Sequence, residues 1–136
     1  MLAFRAAFMV GAAMLAGACA GGSAAPRASA DNVALIAVGA IEFDACTGCH
    51  SINPDGRSSA GPNLFGVTGR KAGAAPGYPY SRALAEADLT WDAASMDAFL
   101  ADPDAYLPGS DMRRGQVRDP ATREAIIAYL ATLDEG

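Results

Sequence analysis

Imidazole is nearly missing from this chain. Its 136 residues include one histidine, His50, which excludes any metal site built on two imidazoles. Cysteine is scarce as well: Cys19, Cys46 and Cys49. The Cys46/Cys49 pair has the spacing of half a zinc site, but a tetrahedral set cannot be completed here without carboxylates. A thioredoxin-like dithiol needs a βαβ setting and a helix opening at its first cysteine, and neither pattern is present. Alternating apolar and polar runs are absent, and so are internal repeats. The uncharged N-terminal run, residues 6–23, is short for a membrane span, which takes ~20 predominantly apolar residues. Lysine occurs once after residue 30, as Lys71. From residue 31 onward, eight Lys and Arg face fifteen Asp and Glu, a net charge of −7, which argues against nucleic acid as a partner.

What is present is one dense motif. Residues 46–50 read Cys-Thr-Gly-Cys-His, the C-x-x-C-H pattern that attaches a c-type haem. The thiols of Cys46 and Cys49 add across the two vinyl groups and form thioethers. The two-residue gap matches the vinyl spacing, and the imidazole of His50 falls over one face of the iron. If the motif carries a haem, the expectation is a redox carrier and not a hydrolase or a transferase. A domain of about a hundred residues buries only a modest share of its surface, and a mostly apolar macrocycle at its centre adds core.

The chain divides at about residue 30. Residues 1–30 read as a signal peptide or N-terminal anchor plus linker, and residues 31–136 as one domain. Arg5 is the only charge before an apolar stretch with Phe8, Met9, Val10, Met14 and Leu15. Small residues then give A-x-A-like sites ending at Ala18, Ala20 or Ala30. Ala16-Gly17-Ala18-Cys19 resembles a bacterial lipobox without its usual first leucine. Lipidation of Cys19 or an uncleaved signal would tether the protein to the membrane, whereas ordinary cleavage would free it. Export agrees with the motif, since c-type haem is attached on the outer side of the bacterial inner membrane. The expected compartment is therefore the periplasm.

Along the domain the spacing predicts short helices. Val33, Ile36, Ala37, Ala40 and Ile41 or Phe43 recur at helical spacing over residues 32–45, with Asp31 or Asn32 as cap. Residues 51–80 are rich in Gly and Pro and too long for an ordinary loop; they suit a segment wrapped on a large rigid object. Residues 81–87 suit a short helix capped by Ser81. Thr90-Trp91-Asp92 opens another, with Met96, Phe99 and Leu100 on one face, ended by Pro103. A further loop runs through Tyr106, Pro108, Gly109, Met112 and Gly115. Asp119 and Pro120 mark the start of the last helix, with Ile126, Ile127, Tyr129, Leu130 and Leu133 as its apolar face. The fold class is all-α, with loops packed on a cofactor.

The second face of the iron has two candidate sulfurs beyond the leader. Met96 sits mid-helix and reads as core filler. Met112 follows the stiff Leu107-Pro108-Gly109 turn and is the expected ligand; an open or water-bound face is the remaining reading. A thioether opposite an imidazole raises the reduction potential relative to two histidines, and filling both faces blocks oxygen and peroxide chemistry.

Residues 39–133 resemble a class I cytochrome c of the mitochondrial and bacterial soluble type. The resemblance rests on Gly61-Pro62-Asn63-Leu64-Phe65-Gly66, Gly69-Arg70-Lys71, Ala75-Pro76-Gly77-Tyr78-Pro79-Tyr80, Trp91 and Tyr106-Leu107-Pro108-Gly109-Ser110-Asp111-Met112. It implies a carbonyl from Pro62 to the His50 ring N–H, and propionate contacts from Arg70, Tyr80, Trp91 and Ser110, with a weaker one from Ser81. It implies also that Gly39 and Phe43 meet Ile126 and Tyr129 where the first and last helices cross. The chain departs from the family near the ligand. Asp111 stands where a lysine often precedes the methionine, Phe99 where a tyrosine often bonds its sulfur, and Arg113-Arg114-Gly115 makes a loop one residue shorter.

The expected function is a one-electron carrier with a single covalent haem c in a respiratory or photosynthetic chain. Its partners would be a quinol-oxidising complex as donor and a terminal oxidase or reductase as acceptor, and the carrier would be a monomer. With few lysines, its attraction to acidic partners would be weak. Two alternatives are a haem peroxidase or gas-binding protein with a labile Met112, and a fixed haem module of a larger oxidoreductase.

Overall fold

The structure, a computed structural model, describes residues 25–133. Residues 1–24 of the expected leader, with Cys19 and the cleavage sites at Ala18 and Ala20, lie outside those residues. The first helix, α1 (Ala25–Glu42), begins earlier than the expected residue 32. Pro26 occupies its first turn, where the missing N–H has no partner to lose. The alanine-rich run then carries the helix through the stretch expected as linker. Asp31 therefore lies inside α1 and caps nothing, and Ala30 is helical as well.

A 3₁₀ turn (Phe43–Cys46) narrows the chain after α1. Local caps set the remaining helices. Ser81 accepts from the Leu84 N–H at the start of α2 (Arg82–Glu86). Asp92 and Ser95 form a reciprocal capping box at α3 (Ala93–Ala101). The loop expected after Pro103 opens instead with one helical turn, α4 (Pro103–Tyr106), because Asp102 caps it and Pro103 fits its first position. Asp119 caps α5 (Pro120–Leu130) through the Thr122 N–H at 2.8 Å. A second 3₁₀ turn (Arg113–Gly115) lies between α4 and α5. Among the described residues there is no strand, only a single bridge between Lys71 and Thr90, and no helix long and apolar enough to cross a membrane.

Helices α1 and α5 cross in near-backbone contact. A Cβ on Gly39 would overlap the carbonyl oxygen of Ala125 and stand 2.8 Å from Cβ of Tyr129. One turn on, the Phe43 and Tyr129 rings lie 5.7 Å apart. Phe43, Val67, Met96, Leu100, Ile126, Ile127 and Leu130 form the main core. Helix α3 is fastened to the chain before α5 by Arg123, which donates to Asp97 Oδ1 at 2.6 Å and to the carbonyls of Val117 and Arg118.

The Gly- and Pro-rich segment is held by side chains as much as by backbone. Asn63 Nδ2 donates to the carbonyls of Asn53 and Gly56, and its Oδ1 accepts from the Phe65 N–H. The Gly61 N–H donates to the Cys49 carbonyl at 2.7 Å, tying this segment to the motif.

Candidate cofactor site

The end of α1 and its 3₁₀ turn deliver Cys46, and the N–H groups of Cys49 and His50 both donate to the Cys46 carbonyl at 3.0 Å. This compact turn holds both sulfurs and the imidazole on one wall of a mostly apolar cavity of about 680 Å³. No disulfide joins Cys46 and Cys49, and burial raises the Cys46 pKa, with Cys49 adding to the shift. His50 Nδ1 stands 2.8 Å from the carbonyl oxygen of Pro62. A carbonyl only accepts, so Nδ1 carries the proton and Nε2 is left with its lone pair. Burial lowers the His50 pKa and favours the neutral ring, against the opposing bond to Pro62. Gly61 lies flat against that ring, since a Cβ there would be 2.7 Å from Nδ1 and 2.8 Å from Nε2.

Met112 stands on the cavity wall too, at the start of the second 3₁₀ turn. The preceding Gly109 adopts φ +88°, a left-handed conformation open mainly to glycine, which turns the chain after Pro108. Met96 lines the same cavity from α3 while belonging to the core.

The cavity has a polar side. Arg70, Tyr80 and Trp91 all line it. Arg70 donates to the carbonyls of Phe65 and Asn63, and among the described residues it has no carboxylate partner. Burial lowers its pKa, with Tyr80 opposing the shift. A half-buried guanidinium without an anion suits a ligand that brings a carboxylate. Tyr80 accepts from the Ala75 N–H at 3.3 Å and leaves its own O–H proton free to donate. Ser110 does not join this group. It is buried, its hydroxyl donates to the Pro103 carbonyl at 3.4 Å, and it does not line the cavity, because the α4 turn presents that carbonyl to it. Ser81 is the cap of α2 and also lies outside the lining.

A haem fits these residues. A cavity of about 680 Å³ lined mainly by apolar side chains, with a few polar groups on one side, suits a large, mostly apolar group. Two thiols, one neutral imidazole and one thioether supply attachment and soft ligation, and Arg70 supplies a counter-charge. Among the described residues no cluster of three or more His, Cys, Asp or Glu offers an alternative metal site. A second cleft of about 520 Å³ behind Arg70 has no cysteine, histidine or methionine in its wall.

Sequence reasoning did not identify Gly61 and Gly115 as neighbours of His50 and Met112, nor Arg123 as the link between α3 and residues 117–118. The glycine of Arg113-Arg114-Gly115, three residues after Met112, was the available signal for one of these.

Comparison with known proteins agrees with this geometry. The family profile described as Cytochrome c matches residues 36–134. Cytochrome c2 of Rhodomicrobium vannielii is 38% identical over 124 residues, 91% of each chain. Among solved structures, cytochrome cH from Methylobacterium extorquens is 43% identical with TM-score 0.65, covering 71% of this chain and 97% of that one. Cytochrome c2 from Rhodospirillum centenum is 33% identical with TM-score 0.69, covering 73% and 98%.

Proposed function

The chain belongs to the class I cytochromes c and is a one-electron carrier with haem c bound through Cys46 and Cys49, and we propose that His50 and Met112 are its two axial ligands. The observation that carries this reading is that one cavity is lined by both the motif and Met112. When bound, the haem supplies a reversible one-electron couple on its iron. The residues around it bind, orient and exclude water. Pro62 holds the His50 ring in one tautomer, which fixes its direction and raises its basicity as a ligand. Leu64, Val67, Phe99 and Leu100 keep the cavity apolar. Arg70, Tyr80 and Trp91 are the donors for the propionates.

The protein works with redox protein partners. We place it in the periplasm, taking electrons from a quinol-oxidising complex and passing them to a terminal oxidase or reductase. Cleavage after Ala18 or Ala20 would leave α1 whole, whereas cleavage after Ala30 would cut it. The one lysine of the domain, Lys71, is already beside Asp88 at 3.9 Å, both exposed. Arg113 lies beside Asp104 at 3.4 Å, next to the cavity mouth. Such exposed pairs contribute little and leave no lysine ring to steer an acidic partner.

The test is an absorption spectrum of periplasmically matured protein, oxidised and reduced, with and without carbon monoxide, beside Met112→Ala. The expected wild-type spectrum is low-spin and indifferent to carbon monoxide, with a weak sulfur-to-ferric-iron band that Met112→Ala abolishes. A high-spin wild type that binds carbon monoxide would overturn the His50/Met112 assignment and favour gas or peroxide chemistry.

A further inference from the structure

We propose that Gly115 is the positioning residue for the Met112 thioether, and that the missing side chain at 115 is what lets the sulfur be held at the cavity. This rests on the reading of Met112 as an axial ligand.

The two residues are i and i+3 of one 3₁₀ turn, closed by the Gly115 N–H to the Met112 carbonyl at 3.0 Å. In that geometry side chains three apart eclipse each other. A Cβ at 115 would stand 2.9 Å from Met112 Cγ and 3.4 Å from Sδ, and would overlap Cε. Backbone conformation does not require glycine here. The glycines in the left-handed region are Gly66, Gly69, Gly73, Gly77 and Gly109, and Gly115 is not among them. The backbone at 115 thus accepts alanine, and the three nearest atoms its Cβ would meet all belong to the Met112 side chain.

The way the overlap is relieved decides what is lost. Turning the last bond of methionine moves only Cε. The approach to Cγ is relieved only by turning about Cα–Cβ, and that rotation carries the sulfur with it. Methionine is flexible, so the fold accommodates the change cheaply; the position of the sulfur does not survive it. The intervening Arg113 and Arg114 are exposed and line the same cavity as Met112.

The experiment compares matured holoproteins: wild type, Gly115→Ala, Met112→Ala, the double variant, and Arg118→Ala as a control at an exposed residue outside the cavity wall. The readouts are the sulfur-to-iron band, carbon monoxide binding by the reduced protein, reduction potential and urea midpoint. Gly115→Ala is expected to lose the band, gain carbon monoxide binding and fall in potential, while its urea midpoint moves little. Arg118→Ala should keep all four. In the Met112→Ala background, adding Gly115→Ala should change neither spectrum nor carbon monoxide binding, and should raise the urea midpoint slightly, as a backbone-compatible Gly→Ala change does. A wild type with the band whose Gly115→Ala variant keeps it overturns the proposal alone. A wild type without the band overturns the ligand reading and the proposal together. If Gly115→Ala does not accumulate, accumulation of the double variant supports the clash, and failure of both overturns it.

Discussion

Gly39→Ala tests how α1 and α5 cross. The added Cβ would overlap the carbonyl oxygen of Ala125 and lie 2.6 Å from its carbon. The obstacle is backbone, so no rotamer change relieves it, and α1 must lift off α5. Overpacking by side chains costs about 1–3 kcal/mol; a backbone obstacle places this change near the top of that range. Alanine recovers about 1 kcal/mol of helix propensity over glycine, because residue 39 lies within a regular helix. The net loss is then about 2 kcal/mol, or a Tm lower by about 8–16 °C for a domain of this size. The assay is urea unfolding of the holoprotein followed by far-UV circular dichroism. Ala34→Gly, on the exposed side of the same helix, calibrates the propensity contribution alone. If Gly39→Ala is as stable as wild type, or more stable, propensity has won and α1 does not touch α5 at this point.

Two further perturbations probe the elements that flank the loop carrying Met112. Arg123→Ala removes a guanidinium only 12% exposed from Asp97 and from the carbonyls of Val117 and Arg118. Because Asp97 is half exposed and can rehydrate, the expected loss is about 1.5 kcal/mol, at the low end for bonds to a charged group, and an unchanged urea midpoint would show that the latch holds nothing. The Asp119 carboxyl is held below its usual range, first by the Thr122 N–H and then by the Thr122 hydroxyl. A depressed folded pKa gives stability that is present above the unfolded value, about pH 4, and is lost as pH falls through the lower folded value. Asp119→Asn keeps a good cap but does not titrate, so its urea midpoint should drop less than that of wild type between pH 7 and pH 3; equal drops would show that this carboxylate carries no acid sensitivity.

Much of the fold was legible because its signals are local. A cap and its target are three residues apart, so Ser81, Asp92 and Asp119 mark α2, α3 and α5 in the sequence itself. The early start of α1 was obscured because Pro26 stands among Gly, Ser and Ala residues that read equally as linker. The one-turn helix α4 is too short for any periodicity to register. The site divides in the same way. The cysteines and His50 are contiguous, so their shared wall follows from one turn of chain. Ser110 was assigned by its place in a resemblance, but the direction of its hydroxyl depends on the α4 turn that the pattern did not reveal. Contacts over longer stretches left no local trace: Arg123 reaches Asp97 across 26 residues. Gly115 lies between these cases. Its distance from Met112 is only three positions, yet three residues apart means neighbours on an α-helix and eclipsed partners on a 3₁₀ turn. The meaning of that glycine depends on which turn the chain takes, and only the hydrogen bond from Gly115 back to Met112 settles it. A glycine in a short loop therefore takes its meaning from the turn around it, where composition and hydrophobic pattern have nothing to record.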